Sequence, residues 1–184
     1  MCIRDRTGID VSAAMLSRLR AKPGGEAVPV VRGDMTTTRV PGAFALVHLV
    51  FNTVMNVTTQ AGQVAVFRNA AAHLAPGGRF LVEVMVPALH RLPPGETAHV
   101  FSLTPEHVGI DEYDVVTQRM WSHHHRVTGS RAEVSSIGFR YAWPAELDLM
   151  AQLAGLELEA RWAGWDRAPF TADSTSHVSV WHRP

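Results

Sequence analysis

The sequence predicts an α/β fold organised around a doubly wound, mostly parallel sheet. Three observations carry that expectation. Residues 44–51 (FALVHLVF) and 80–86 (FLVEVMV) are short, nearly unbroken apolar runs, as parallel strands covered on both faces require. Between them Val64, Phe67, Ala71 and Leu74 recur at helical spacing, so a crossover helix presents one stripe to the core. The chain then closes on a helical stretch and two strand-like runs, residues 156–162 and 176–181. Strand–helix–strand units of this kind are right-handed, and ligands gather at the carboxyl ends of their strands.

Composition narrows the classes. With 184 residues, 46% of them hydrophobic, the chain can bury one sizeable core. Its 17 Lys and Arg balance 17 Asp and Glu, and no basic stripe marks a nucleic-acid partner. No apolar run approaches the roughly 20 residues of a membrane-spanning helix, and no signal peptide is visible. The single cysteine, Cys2, excludes an internal disulfide, which fits a reducing cytoplasm.

Taken in order, residues 1–6 (MCIRDR) do not read like the start of a domain. They look like a translated sequencing-adapter remnant, so a single domain is expected over residues 7–184, with an upstream portion missing. Gly8-Ile9-Asp10-Val11-Ser12 is a strand end and a turn. Ser12 caps a helix over 13–21, whose Met15, Leu16 and Leu19 make a short apolar face. Residues 22–25 close it, and a strand over 28–31 ends in Arg32-Gly33-Asp34-Met35. After the strand at 44–51, Thr58 or Thr59 supplies the next N-cap. Pro76-Gly77-Gly78 is expected to stop that helix before the strand at 80–86. From 98 to 141 the chain turns to β-prone pieces at 100–103, 114–117, 120–127 and 132–141, with a turn signal at Thr128-Gly129-Ser130. Pro144 opens a helix over 144–154, with Leu147, Met150 or Ala151, and Ala154 inward, and Gly155 ends it.

Two acids at consecutive strand ends are the most informative residues. An Asp in that position can hydrogen-bond both hydroxyls of a ribose. Asp10 alone is weak evidence, since a solvated turn residue or a carboxylate favoured by a helix start is its plainer alternative, so Asp34 one strand later matters. His123-His124-His125 invites a metal reading, but on a strand only His123 and His125 share a face, and two ligands do not close a site. Tyr113, Tyr141, Trp121 and Trp143 are packing residues or walls of a substrate pocket. Glu83 is a strand-end polar contact or part of an active-site floor. Trp162 and Trp165-Asp166 are expected to pack the last hairpin.

The chain resembles a class I S-adenosylmethionine-dependent methyltransferase. The residues that carry the likeness are Gly8-x-Asp10-x-Ser12-x-x-Met15-Leu16, Gly33-Asp34-Met35, Phe51-Asn52-Thr53, Asn56, Thr59-Gln60, Phe67, His73-Leu74-Ala75-Pro76-Gly77-Gly78-Arg79-Phe80 and Glu83. The resemblance implies a Rossmann-like sheet lacking its first strand, with an antiparallel β insertion over 98–141, after the fifth strand of the parent fold, acting as a substrate lid. It implies S-adenosylmethionine as cofactor and a small-molecule methyl acceptor, with neither nucleic acid nor membrane as partner. Asp10 and Val11 would meet the ribose, Asp34 the adenine amine and the Met35 amide a ring nitrogen. Phe51 and Asn52 would border the methionine and methyl-donor end. It names no general base, because holding nucleophile and methyl in line is itself worth roughly 7–11 kcal/mol. No glycine-rich turn for the methionine carboxylate precedes Gly8, so weak cofactor binding is expected of the chain as given. Two other readings stand beside this one: a nicotinamide-dependent oxidoreductase gripping its ribose with Asp10, and a non-catalytic Rossmann-like binding protein.

Overall fold

The structure, a computed structural model, describes residues 6–184. The leader expected over 1–6, Arg6 apart, and the lone Cys2 lie outside the described residues. Strand β1 (Gly8–Asp10) leads through helix α1 (Ala13–Arg20) to strand β2 (Val30–Arg32), and the two strands pair in parallel. The Ser12 hydroxyl accepts from the Met15 amide at 3.3 Å, the N-cap its sequence predicts. No residue of α1 is fully buried, so the face of Met15, Leu16 and Leu19 is only partly covered.

The centre of the molecule is strand β3 (Phe44–Leu49), helix α2 (Gln60–His73) and strand β4 (Leu74–Met85), with β3 and β4 parallel. Helix α3 (Pro144–Leu153) leads into strand β9 (Glu157–Trp162), and strand β10 (Ser176–His182) inserts antiparallel between β9 and β4. Strand order in this sheet is β3-β4-β10-β9. Phe67 of α2 meets Phe80 of β4 and Trp181 of β10 edge-on, at centroid distances of 5.0 and 5.3 Å. Burying each such side chain stabilises the fold by about 1.5–3 kcal/mol.

Three sequence expectations need correction here. Phe67, Ala71 and Leu74 are buried as expected, but Val64 is only half-buried, and the buried face of α2 widens to take in Gln63, Val66, Asn69, Ala70 and His73. Polar Gln63 sits inside because its amide donates to the Arg140 and Val54 carbonyls. The helix ends at His73, three residues before Pro76, so Pro76-Gly77-Gly78 does not stop it. Instead Leu74 pairs with Phe44, residues 75–78 bulge, and pairing resumes with Arg79 opposite Leu46. Gly77 supplies a φ of +73°, and a Cβ on Gly78 would stand 2.8 Å from the Phe44 carbonyl. Finally, β3 is not covered on both faces: Leu46 is 51% exposed. Its edge away from β4 borders an open slot of about 590 Å³, and Gly8 and Ile9 of β1 line the far side. Successive β3 residues, odd and even alike, touch the slot, so it faces a hydrogen-bonding edge rather than one side of the strand.

Residues 98–140 form a separate antiparallel meander of strands β5 (Ala98–Leu103), β6 (His107–Asp114), β7 (Arg119–Thr128) and β8 (Arg131–Arg140). The piece predicted at 114–117 is the β6–β7 turn, held by the Asp114 carboxylate, which accepts from Val116 N and the Thr117 hydroxyl. Strand β6 escaped the sequence because its inner face carries Gly109, Asp111 and Tyr113, which break the usual alternation. The meander is joined to the α2 and α3 side by Arg140, which donates to Glu146 at 2.7 Å and to Gln63 and Gln118.

Candidate functional site

The strand ends carry the residues singled out by sequence. Asp10 ends β1, and its Oδ1 accepts from the Ser12 amide at 2.8 Å. One carboxylate oxygen thus builds the turn into α1, and Oδ2 remains for a ligand. Val11, in that turn, is 67% exposed. Asp34 follows β2, and its Oδ1 accepts from both the amide and the hydroxyl of Thr36, at 2.8 and 2.7 Å. Those hydrogen bonds hold its carboxyl below the ordinary carboxylate range, so Asp34 is an anion and an acceptor. Gly33 is required beside it: a Cβ there would stand 2.1 Å from the Thr38 hydroxyl oxygen.

Phe51 and Asn52 form the turn after β3, and both are left-handed, with φ of +56° and +59°. Two consecutive non-glycine residues in that region store strain of order 1–3 kcal/mol each. Strand β4 holds them there. The Phe51 amide donates to the Glu83 carboxylate at 3.1 Å and the Asn52 amide to the Glu83 carbonyl at 3.2 Å. The Asn52 side-chain oxygen accepts from the Met85 amide at 2.7 Å. Glu83 is therefore the strand-end contact that fixes the Phe51 turn, the first of its two sequence readings.

Sequence reasoning missed a clamp on α2. Buried Asn69 donates from its side-chain amide to the Met35 and Thr38 carbonyls, and His73 Nε2 accepts from the Val40 amide at 3.0 Å. That bond leaves the His73 proton on Nδ1, which donates to the Asn69 carbonyl at 2.7 Å. Asn69 reads from sequence as an ordinary helix position and His73 only as part of the resembling run; the one available signal was two polar residues at i, i+4.

The remaining candidates fall elsewhere. His124 stacks on His107 at 5.2 Å, and His123 turns to Ser136 and Glu112. Among the described residues no three His, Cys, Asp or Glu side chains stand close enough to hold a metal ion. Tyr141 packs edge-on between Tyr113 and Trp143, and the Arg119 guanidinium lies over Trp121 at 5.0 Å. Arg167 covers Trp162 at 5.1 Å, while Trp165 is 60% exposed. No helix of the described residues is long and apolar enough to cross a membrane.

Asp10 and Asp34 stand at the ends of the paired parallel strands β1 and β2, and the Phe51-Asn52 turn follows β3, so acidic and amide groups collect at strand carboxyl ends, where nucleotide-binding α/β folds place their ligands. Comparison with known proteins makes this specific. A family described as "Methyltransferase domain" matches residues 3–78. The fold superimposes on the CcbJ methyltransferase from Streptomyces caelestis with a TM-score of 0.84 and 34% identity, covering 96% of this chain and 74% of that one. The cypemycin N-terminal methyltransferase of a Streptomyces species is 26% identical over 182 residues, 95% of this chain and 73% of that protein. SAM-bound CalS10, an amino pentose methyltransferase from Micromonospora echinaspora, shares the fold at a TM-score of 0.72 and 24% identity, covering 97% of this chain and 73% of that one. The chain belongs to the class I S-adenosylmethionine-dependent methyltransferases. It is an enzyme of that family and its cofactor is S-adenosylmethionine, which sets the nicotinamide and non-catalytic readings aside.

Proposed function

We propose that this chain methylates a small-molecule acceptor in the cytoplasm, and that the acceptor's attacking atom is an amine nitrogen. The similarity to CcbJ at 34% identity carries the methyltransferase assignment, and the acceptors printed for relatives supply the class. One of those proteins is named for a peptide N-terminus and another for an amino pentose, both of which bear an amine.

In this reading the free oxygen of Asp10 receives a ribose hydroxyl, beside Val11, and the free oxygen of Asp34 accepts from the exocyclic adenine amine. The Met35 amide faces a ring nitrogen, and Phe51 and Asn52 border the methionine end. The cofactor brings a methyl group already activated on a sulfonium, so the chain's own task is to hold the acceptor in line and exclude water. Residues 98–141 act as the substrate lid within a single domain. Among the described residues no glycine-rich turn serves the methionine carboxylate, so the chain as it stands binds cofactor weakly.

S-adenosylhomocysteine release, measured with a panel of small primary amines, the matching alcohols and an amine-terminated peptide, tests the acceptor class. Turnover with alcohols but not amines would overturn it. For the cofactor end, titration calorimetry compares this chain with one in which a relative's glycine-rich strand and turn replace residues 1–6. Equal, tight binding by both would remove the second part of the reading.

A further inference from the structure

A second, smaller cavity of about 150 Å³ opens between the carboxyl end of β4 and the inner face of the meander. Met85 lines it from the end of β4 and Val86 from just beyond, His99 from β5, Asp111 and Tyr113 from β6, and Thr175 from the loop before β10. It adjoins the strained turn directly, because the Met85 amide is the group that Asn52 binds. Its size is well below the roughly 300–1,000 Å³ of a pocket that engulfs a drug-sized ligand. It accommodates the reacting end of an acceptor and leaves the remainder outside.

The polar groups there are unusual. Strand period 2 turns Asp111 and Tyr113 to the same buried face, and they are only 8% and 2% exposed. The Tyr113 hydroxyl has no hydrogen-bond partner; the Ala88 backbone approaches it without reaching hydrogen-bonding geometry. Leaving a buried hydroxyl unpaired costs about 1–3 kcal/mol, so the position calls for a partner. Asp111 sits across the ladder from His99 on one side and Ser122 on the other. Burial pushes its carboxyl up, against the Ser122 hydroxyl and the charges of His99, His124 and His123. His90 and Arg91 also border the cavity. A buried carboxylate raised by desolvation gains most from a cation, or from a proton delivered to it.

We propose that this cavity receives the reacting amino group of an acceptor bearing a neighbouring hydroxyl, with Asp111 binding and deprotonating the ammonium and Tyr113 donating to the hydroxyl oxygen. This rests on the reading of the chain as a small-molecule methyltransferase. One N–H bond of the ammonium breaks, its electron pair stays on nitrogen, and the proton passes to Asp111. The neutral amine that remains has the lone pair that methylation needs, and Asp111 later returns its proton to water.

The test reads binding without cofactor, by amide NMR titration of the full chain with 2-aminoethanol, ethylamine and ethylene glycol. 2-Aminoethanol should shift the Met85, Val86 and Thr175 amides saturably, with ethylene glycol weaker by about tenfold, the worth of one charge-assisted hydrogen bond. Asp111→Asn should abolish that preference, and Tyr113→Phe should make 2-aminoethanol no better than ethylamine. Equal binding of 2-aminoethanol and ethylene glycol by the unmodified chain would overturn the proposal whether or not either variant folds. So would a preference that survives Asp111→Asn. A chain that binds the amine here yet releases no S-adenosylhomocysteine with any amine would instead sink the function proposed above and leave this site standing.

Discussion

The side-chain amide of Asn69 grips the carbonyl of Met35 at 2.8 Å, tying the loop proposed to hold adenine to the middle of α2. A second bond from the same amide, at 2.9 Å to Thr38, makes the grip bidentate. Asn69→Ala should therefore cost about 1–3 kcal/mol, because two loop carbonyls lose their donor. Amide exchange should accelerate in residues 35–40 before it changes in β4, and cofactor affinity should fall with it. Unchanged exchange in that loop would show that Asn69 is only a packing residue.

In a chain carrying a relative's glycine-rich strand and turn in place of residues 1–6, Asp10→Ala and Asp34→Ala each remove a carboxylate hydrogen-bond acceptor. Such bonds are worth about 1.5–3 kcal/mol, so cofactor affinity should fall roughly 10- to 150-fold for each. Calorimetry showing either change within about twofold would take that residue out of the site.

Glu146 accepts from Gln60, Arg140 and Gln118, at 2.9, 2.7 and 2.7 Å. Burial opposes its charge, but those three donors and the Arg140 cation together hold its carboxyl below the ordinary range. Glu146→Ala would leave the Arg140 guanidinium, 4% exposed, without its anion. Loss of one partner from a buried pair costs about 3–5 kcal/mol, so the melting temperature should fall by several degrees and by far more than for Glu133→Ala on the exposed edge of β8.

His177 predicts an acid limb to stability. Burial, then the nearby Arg161 charge, lowers its pKa to about 4. The unfolded chain takes up the proton near 6.5 and the folded chain only near 4, so the contribution is whole above 6.5 and lost as pH falls between those values. The difference is worth about 3 kcal/mol at most. His177→Gln, which keeps an acceptor for the Ser179 hydroxyl, should flatten that limb in urea titrations; an unchanged slope would place the proton uptake elsewhere.

Exchanging residues 98–141 for a relative's segment should change which acceptors are methylated and leave cofactor affinity alone. The opposite pattern would show that the meander serves the cofactor rather than the acceptor.

Much of this was legible in the chain because it depended on local chemistry. The caps at Ser12 and Thr59 and the helix opening at Pro144 follow from residue type and spacing. What failed depended on neighbours far away in sequence. Pro76-Gly77-Gly78 looks like a helix stop until Phe44 is seen pairing with Leu74, which converts it into a strand bulge. Gln63 looks like a surface residue until Arg140, 77 positions later, fills its hydrogen bonds. Tyr113 reads from sequence as packing or a pocket wall and Asp111 as neither, because an acid in a strand spoils an apolar pattern, yet the structure turns both inward beside the strand ends.

The slot between β1 and β3 also governs how the molecule breathes. Among the described residues, positions 8–34 hydrogen-bond only among themselves and to the Thr36–Thr38 turn. No ladder crosses to the four-stranded sheet. That first unit can swing outward as a single piece at a free-energy cost below that of global unfolding, pivoting on the Asn69 and His73 tether. A cofactor held by Asp10 at its ribose and bordered by Asn52 at its methionine end would rivet the two pieces together, so part of its binding energy would be read out as rigidity of the N-terminal flap.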